Sequence, residues 1–285
     1  MKFNNSTADV FVPDNTLLET ALARTTHVGV GAHQDDLEIM ALHGILECFG
    51  SEEKWFTGIT CTNGAGSSRA GPYASYPDQQ MQAVRQREQR TAAIIGQYSA
   101  MLQLDYPSSV IKNPADKSLT GDLFGIFSRT KPAVVYTHNP ADKHDTHLAV
   151  LVPTIEALRQ LPATDRPKKV YGCEVWRNLD WLPDEDKVAL DVSERQNLAA
   201  ALICVFDSQI AGGKRYDLAS QGRRRANATY FQSHQTDAAH EVIFAIDLTS
   251  VVSDPTRDLV DYMMSFVEKF SADVRKKLTV ARPGR

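Results

Sequence analysis

The chain has 285 residues, of which 42% are hydrophobic and 23% are charged, and its formal net charge is −4. This balance lacks the basic footprint of nucleic-acid binding, and no apolar run approaches the roughly 18 residues of a membrane helix. We therefore expect neither a nucleic-acid partner nor a membrane partner. The first 15 residues contain one lysine and no apolar segment, so we expect no signal peptide and a cytoplasmic protein.

The predicted elements of the first 160 residues alternate between strand and helix. Each strand is short and apolar, and each helix shows one apolar face. A helix that begins at Asp145 should kink or restart at Pro153. In chain order we predict a strand at His27–Ala32, a helix over residues 36–49, a strand at Trp55–Cys61, a helix at Asp78–Ile95, a strand at Pro132–Tyr136 and a helix at Asp145–Leu158.

Beyond residue 165 the hydrophobic pattern is weaker. The polar stretch Asp207–Gln235 is predicted to be a long loop, in which Arg223, Arg224 and Arg225 form a solvated cluster rather than an anion-binding site. The other predicted elements are a strand at Lys169–Val175, a helix at Ser193–Phe206, a strand at Glu241–Asp247 and a terminal helical region at Val251–Val274.

This alternation predicts an α/β fold, with a Rossmann-like, mostly parallel sheet and helices on both faces. Without a repeat or linker, residues 1–285 are expected to form a single domain. Residues 27–160 would be its metal-binding core and residues 161–285 a substrate-specificity and capping portion. Ligands of such sheets sit outside the carboxyl ends of the strands. Polar stretches follow three of the predicted strands, after Ala32, Cys61 and Tyr136.

The four cysteines are far apart and show no CxxC spacing. Because each lies in or beside an apolar segment, we expect reduced, buried thiols. Any metal should then be held by histidine and carboxylate. The cysteines are Cys48, Cys61, Cys173 and Cys204.

The first polar cluster contains His33, Asp35 and Asp36 at a strand end. Zinc accepts both imidazole nitrogen and carboxylate oxygen. The chain cannot easily aim three such close side chains at one ion, so two ligands and one group facing a water is the more natural geometry. The alternative is that an aspartate simply caps the following helix.

The second polar cluster places three of the eight histidines within ten residues, at His138, His144 and His147. The last two are three residues apart at a predicted helix start, so they occupy neighbouring surface positions. Two such clusters at neighbouring strand ends predict a metal site at this edge of the sheet.

Residues 32–39, Ala-His-Gln-Asp-Asp-Leu-Glu-Ile, resemble the AHPDDxE signature of the PIG-L/LmbE-like family of zinc-dependent de-N-acetylases. Residues 138–147 are similar to that family's HxPxDxHxDH motif. The loop at residues 62–66 and the pair Arg85 and Glu88 also follow its pattern, in the same order, over roughly residues 27–158. Two positions depart from the pattern. Gln34 stands in place of proline, and Thr146 in place of aspartate, with an aspartate one position earlier.

The resemblance implies a Rossmann-like hydrolase that removes an N-acyl group, expected to be acetyl, from an N-acetylglucosamine-like substrate or a related amino-sugar conjugate. It makes His33, Asp36 and His147 the ligands of one Zn²⁺ per chain, although another divalent metal stays open. It makes Asp35 the general base and His144 a charged partner for the transition state. The expected partner is thus a small molecule.

Several other residues are candidates for supporting roles. Arg69 follows the glycine-containing loop. The sequence leaves open whether it binds substrate or lies on the surface. Arg85 and Glu88 are expected to form a structural ion pair that supports this loop. Asp142 is a candidate for orienting a ligand histidine, and Trp176 is a candidate for a substrate pocket or an interface.

Two other functions remain open. One is a Rossmann-type ligand-binding module without hydrolysis, supported by the loop at residues 62–69, which lacks the GxGxxG spacing. The other is a zinc amidase that cleaves a larger, non-acetyl amide. A homo-oligomer is also possible, and the sequence does not decide between these alternatives.

Overall fold

In the computed structural model, which describes residues 1–282, eight strands form one sheet. They are β1 (Asp9–Phe11), β2 (His27–Gly31), β3 (Phe56–Thr62), β4 (Ala100–Tyr106), β5 (Val134–His138), β6 (Lys169–Cys173), β7 (Val188–Asp191) and β8 (Val242–Asp247). The order across the sheet is β1-β4-β3-β2-β5-β6-β8-β7. The middle strands β4, β3, β2, β5 and β6 pair in parallel, while β1 and β8 run antiparallel to their neighbours, which confirms the mostly parallel sheet.

Twelve α-helices surround this sheet within the described residues. None of them is both long enough and apolar enough to cross a membrane. They are α1 (Leu18–Ala23), α2 (Asp36–Met40), α3 (Leu42–Cys48), α4 (Asp78–Ile95), α5 (Ser108–Ile111), α6 (Ser118–Thr130), α7 (Asp145–Gln160), α8 (Gln196–Cys204), α9 (Asp207–Ile210), α10 (Tyr216–Tyr230), α11 (Thr249–Ser253) and α12 (Leu259–Ala281).

The two faces of the sheet are both covered, as the strand pattern of β8 shows. Val242, Phe244 and Ile246 belong to one buried cluster, and Ile243 and Ala245 belong to the other. Because successive side chains of a strand point to opposite faces, the two clusters lie on opposite sides of the sheet. Helices α6, α7 and α12 contribute to the first cluster, whereas α2, α3, α4 and α8 contribute to the second. Helices on both faces are therefore confirmed.

Most of the predicted elements occur close to their expected positions. Helix α4 has the predicted bounds, and α7 runs through Pro153 without interruption. The helix expected over residues 36–49 is instead divided at Ala41, which has φ −105° and ψ 15°. Strand β4 was not predicted, because the polar Gln103 and Asp105 interrupt its apolar pattern.

The loop predicted over Asp207–Gln235 is wrong. This stretch contains helices α9 and α10. Helix α10 buries Ser220, Arg224 and Asn227 together with Ala228. A helix whose inner face is mostly polar carries little hydrophobic periodicity, and so the sequence pattern did not reveal it.

The thiols also differ in part from expectation. All four cysteines are free, and three of them are buried, but Cys204 at the end of α8 is exposed. The expectation of a buried thiol is therefore wrong for Cys204. The residue ends a helix whose inner face is formed by other apolar side chains, including Leu198 and Leu202.

The sheet has its switch point between β2 and β5. From β2 the chain continues outward through β3 and β4 on one side, and β5 and β6 lie on the other. Ligands of open α/β sheets bind at the carboxyl ends of the strands that flank such a point. Both polar clusters of the sequence follow these two strands. Strands from residues beyond 160 complete the same sheet, so both predicted portions of the chain share it.

Packing of α3 against β5 gives a stability prediction. A Cβ atom on Gly44 would lie 2.4 Å from Cε2 of the buried Tyr136 ring. We expect Gly44→Ala to lower the free energy of unfolding by about 1–3 kcal/mol, the usual effect of overpacking a core. The matched control is Gly222→Ala in α10, where no atom lies within 4 Å. Helix propensity should make that variant up to about 1 kcal/mol more stable. Urea midpoints measure both, and a wild-type midpoint for Gly44→Ala would contradict the packing.

Candidate active site

A candidate metal site lies at the switch point of the sheet. His33, Asp36 and His147 each offer a ligand atom, and these atoms lie within 4.8 Å of one another. His33 and Asp36 follow β2, whereas His147 lies in the first turn of α7, after β5. Asp36 and His147 are buried, and His33 is partly exposed. Parallel pairing of β2 and β5 thus brings together residues that are more than 100 positions apart.

The imidazole of His147 shows that a divalent cation fits this site. Its Nδ1 lies 3.2 Å from Oδ2 of Asp142, and its Nε2 is buried without a hydrogen-bond partner within residues 1–282. That Nε2 lies 3.5 Å from Oδ1 of Asp36. Leaving a buried polar atom unpaired is costly. One ring nitrogen bonded to a carboxylate while the other faces the metal is the usual arrangement of a ligand histidine.

Asp142 is held where it can orient His147. Its Oδ1 accepts a hydrogen bond from the backbone N–H of His144 at 3.1 Å, and its Oδ2 accepts one from the N–H of Trp176 at 3.2 Å. The carboxylate is therefore fixed by backbone groups on two sides. Asp145 is exposed and so does not replace the aspartate missing at position 146, where Thr146 is buried.

The charges of this cluster support one another. Burial favours the neutral form of Asp36, but the neighbouring imidazoles of His147 and His138 outweigh it and lower the pKa of Asp36. Burial likewise disfavours the charged form of His147, yet Asp36 and Asp142 together raise the pKa of His147. The site is thus organised around a buried, ionised carboxylate.

A second grouping includes His138. Its ligand atom, with those of Asp142 and His147, also falls within 4.8 Å. However, His138 Nε2 already accepts a hydrogen bond from the N–H of Ala32 at 2.9 Å. Its ring stacks on that of His147 with 3.8 Å between centroids. Because the lone pair of His138 is used by the backbone N–H of Ala32, directly after β2, the geometry favours the grouping of His147 with His33 and Asp36.

Asp35 is the carboxylate that faces the cavity beside this cluster. It has φ 92°, a left-handed conformation that is uncommon for residues other than glycine and often occurs at functional positions. Nη1 and Nη2 of Arg85 both donate to its Oδ2 at 3.1 Å. Its Oδ1 makes no hydrogen bond within residues 1–282 and is left for a water or a substrate proton. Burial raises the pKa of Asp35 to about 6, although Arg85 opposes this.

The predicted ion pair between Arg85 and Glu88 is wrong. Arg85 turns to Asp35, and Glu88 accepts hydrogen bonds from the backbone N–H of Ser208 at 2.7 Å and from its hydroxyl at 2.6 Å. Both side chains are buried and meet partners from other elements. Helical spacing brought them near each other, but tertiary contacts determined their partners. Glu88 therefore connects α4 to α9.

His144 lies beside the candidate metal ligands, with its ring centroid 5.0 Å from that of His33 and 4.6 Å from that of His147. Burial, with help from His147 and His33, lowers the pKa of His144 to about 4. Its Nδ1 accepts a hydrogen bond from the N–H of Thr146 at 3.3 Å. In the neutral ring the proton is then on Nε2, and His144 can donate without carrying a charge. This differs from the charged partner expected from the sequence.

A cavity of about 770 Å³ opens over these residues. His33, Asp35, Asp36 and His144 lie on its inner wall, and much of the outer wall comes from residues beyond 170. Trp176 is among the lining residues, which agrees with the predicted alternative that it belongs to a pocket. The other lining residues from this part of the chain are Glu174, Val175, Gln209, Lys214, Tyr216, Ala219, Ser220, Arg223, Arg224 and Ile243.

Arg69 is not among the residues that line this cavity. Its Nη2 donates to the carbonyl of Ala65 at 2.5 Å and to the carboxylate of Asp78 at 2.7 Å. These contacts connect the loop after β3 to the first turn of α4. The structure therefore uses Arg69 to brace the loop and does not bring it to the substrate side.

Arg224 is a site residue that sequence analysis missed. It is buried, and its Nη2 donates to the carbonyl of Glu38 at 2.7 Å, which ties α10 to the helix that begins with Asp36. The expectation of a solvated cluster is wrong for this arginine. Only the middle residue of the three consecutive arginines is buried, and no pattern in a single sequence marks it.

The fold and site define an α/β protein with a histidine–carboxylate constellation at its switch point. Within that class, the GlcNAc-PI de-N-acetylase (PIG-L) family model matches residues 28–158. This match covers the segment that carries the motifs, and it confirms the resemblance predicted from them. No curated protein matches the chain in sequence.

Solved structures share this fold at low sequence identity. An N,N'-diacetylchitobiose deacetylase from Pyrococcus horikoshii is 14% identical, with a TM-score of 0.62 over 88% of this chain and 93% of the other. The 4-carboxy-2-hydroxymuconate hydratase of Pseudomonas putida KT2440 is 18% identical, with a TM-score of 0.57 over 79% and 95%. A deacetylase of the A40926 pseudoaglycone is 15% identical, with a TM-score of 0.55 over 79% and 97%.

The contact between Asp142 and His147 predicts the metal affinity of a variant. We expect Asp142→Asn to weaken zinc binding about 10- to 100-fold, because the ligand ring loses its carboxylate partner. Asp145→Asn is the matched control, since this exposed neighbour contacts no ligand histidine. Competition with a chelator of known affinity measures both. Equal zinc affinity in Asp142→Asn and wild type would contradict the orienting role.

Proposed function

We propose that this protein is a metal-dependent hydrolase that removes an N-acyl group, with acetyl as the expected group, from an N-acetylglucosamine-like amino sugar or a related conjugate. The observation that carries the proposal is the convergence of His33, Asp36 and the buried His147 next to Asp35, whose carboxylate lines the cavity with one oxygen unpaired. The PIG-L family match and the deacetylase neighbours, named for N,N'-diacetylchitobiose and the A40926 pseudoaglycone, support the reaction class.

Zinc is the proposed metal, one ion per chain, held by His33, Asp36 and His147. Two imidazoles and one carboxylate suit zinc, although iron, manganese or cobalt also accept such ligands. When bound, the ion would supply Lewis-acid polarisation of the amide carbonyl and lower the pKa of a coordinated water. The buried Nε2 of His147, without another partner, supports this assignment.

Asp35 acts as the general base and then as the acid in this proposal. Arg85 occupies Oδ2 and holds the carboxylate in place, so Oδ1 can take a proton from the attacking water. The same oxygen can deliver that proton to the nitrogen of the leaving amine, which departs poorly unless it is protonated. His144 donates from Nε2 to the carbonyl oxygen as negative charge develops there.

The alternatives differ in what they leave unexplained. A ligand-binding module without hydrolysis requires no base, yet Asp35 faces the cavity with one free oxygen next to the candidate metal ligands. An amidase for a larger amide fits the cavity, because about 770 Å³ is in the range of sites that enclose drug-sized ligands.

The four free cysteines are consistent with a reducing compartment such as the cytoplasm.

The test of the base compares Asp35→Asn with His147→Ala. We expect Asp35→Asn to retain about one zinc per chain but lose roughly 10²- to 10⁴-fold in kcat, as loss of a general base does. His147→Ala should lose both zinc and activity. Acetate release from N-acetylated sugars and metal analysis measure the two properties. Wild-type protein that neither contains nor takes up a divalent metal would refute the proposal, and full activity in Asp35→Asn would refute the role of Asp35.

His144 should matter for the rate more than for metal binding. We expect His144→Ala to lower kcat about 10²- to 10³-fold, the usual effect of removing one oxyanion donor, while zinc content stays at the wild-type level. His43→Ala is the control, because this histidine contacts Tyr136 and does not line the cavity. A wild-type rate for His144→Ala, or loss of zinc from it, would contradict the assigned role.

A further inference from the structure

The cavity described above has lysines on its wall that lack acidic partners. Lys112, Lys143 and Lys214 all line it. None of the three forms an ion pair with an aspartate or glutamate anywhere in the part of the chain that the structure describes, whereas exposed lysines such as Lys54, Lys117 and Lys169 do. The whole chain carries a net charge of −4, so this local excess of positive charge runs against the overall balance.

Two of these lysines gather at one aromatic ring. Nζ of Lys214 lies 5.0 Å from the centroid of the Trp176 ring, and Nζ of Lys143 lies 5.9 Å from it. Cation–π contacts hold both ammonium groups near the ring without using their N–H donors. Each ammonium group therefore keeps three donors for a ligand.

The acidic side chains of the cavity are already occupied. Arg85 binds Asp35, and Asp36 accepts a hydrogen bond from the backbone N–H of His33 and lies 3.5 Å from Nε2 of His147. Glu174 accepts hydrogen bonds from the side chain of Asn227 and from the backbone N–H groups of Phe244 and Leu179. No acid of the cavity wall is thus left to pair with Lys143 or Lys214.

Trp176 places these lysines next to the reaction centre. Its ring is nearly parallel to that of His144, at 29°, with 6.2 Å between centroids. The edge of Tyr216 contacts the same indole ring, again with 6.2 Å between centroids. The two ammonium groups therefore contact the same indole ring that stacks beside His144, the residue proposed to donate to the amide oxygen.

We propose that the substrate carries an anionic group, a phosphate or a carboxylate, which Lys143 and Lys214 bind beside Trp176. This inference rests on the proposed function for the acyl group, which would face Asp35 and His144 in the same complex. The anion would supply the negative charge that the cavity wall lacks. It would also select anionic amino-sugar conjugates over neutral ones, because only an anion supplies the counter-charge that the two ammonium groups lack.

The test measures binding rather than turnover. Zinc-loaded Asp35→Asn protein is titrated by calorimetry with three probes: N-acetylglucosamine, its 1-phosphate, and N-acetylmuramic acid, which carries a carboxylate. We expect at least one anionic probe to bind about 10-fold or more tightly than the neutral sugar, since a charge-assisted hydrogen bond contributes on that scale. The anionic probe that binds more tightly shows whether the site prefers a phosphate or a carboxylate.

Variants added to that protein separate the lysines from the metal, which could itself hold an anion. Lys143→Gln with Lys214→Gln should abolish the preference for the anionic probe, while zinc content and the affinity for N-acetylglucosamine stay unchanged. Lys168→Gln is the matched control, because this exposed lysine precedes β6 at the opposite edge of the sheet and has no ion pair within residues 1–282.

Each outcome has a defined meaning. A preference that disappears only in the double lysine variant supports the anion site. Equal affinities for all three probes, failure of all three to bind, or a preference that survives in the double variant overturns it. A wild-type enzyme that binds the anion through these lysines but releases no acetate would overturn the proposed function alone.

Discussion

The buried carboxylate of Asp36 is the constraint on which the site depends. Its Oδ2 accepts a hydrogen bond from the backbone N–H of His33 at 2.7 Å and lies 3.5 Å from Nε2 of His138, while its Oδ1 lies 3.5 Å from Nε2 of His147. A charge removed from water is tolerated only when it is paired, so the backbone N–H of His33 and the imidazole of His147 must stay in place. Since they follow β2 and β5, the carboxylate also ties together the two strands at the switch point.

The convergence of these side chains could be predicted from the sequence because each set is local in the chain. His33, Asp35 and Asp36 lie within four residues, and His144 and His147 lie three apart, each set directly after an apolar strand. A parallel sheet then brings the ends of neighbouring strands together whatever the rest of the chain does. The alternating pattern also predicted the sheet type and the helices that cover both of its faces.

The outer wall was not predictable in the same way. Helix α10 packs through Ser220, Arg224 and Asn227, and the hydrogen bonds that bury these side chains come from distant elements, such as the contact of Arg224 with Glu38. The same holds for Arg85, whose partner is Asp35 and not the glutamate one turn away. Hydrophobic periodicity reports only apolar burial, whereas polar burial depends on partners that a single sequence does not identify.

The division between inner site and outer wall bears on function. Structures with this fold include deacetylases and a hydratase, at identities of 14–18%, so the fold by itself does not define the reaction. The inner residues, to which we assign the chemistry in our proposal, lie in the segment that the PIG-L family model matches. Trp176, Lys214 and Tyr216 lie beyond that segment and form the wall that a substrate's outer part would contact. Arg224 binds α10 to α2, the helix that begins with Asp36, so the wall is tied to the candidate metal site. If our proposals hold, the residues that select the outer part of the substrate are thereby held in register with those that act on its amide.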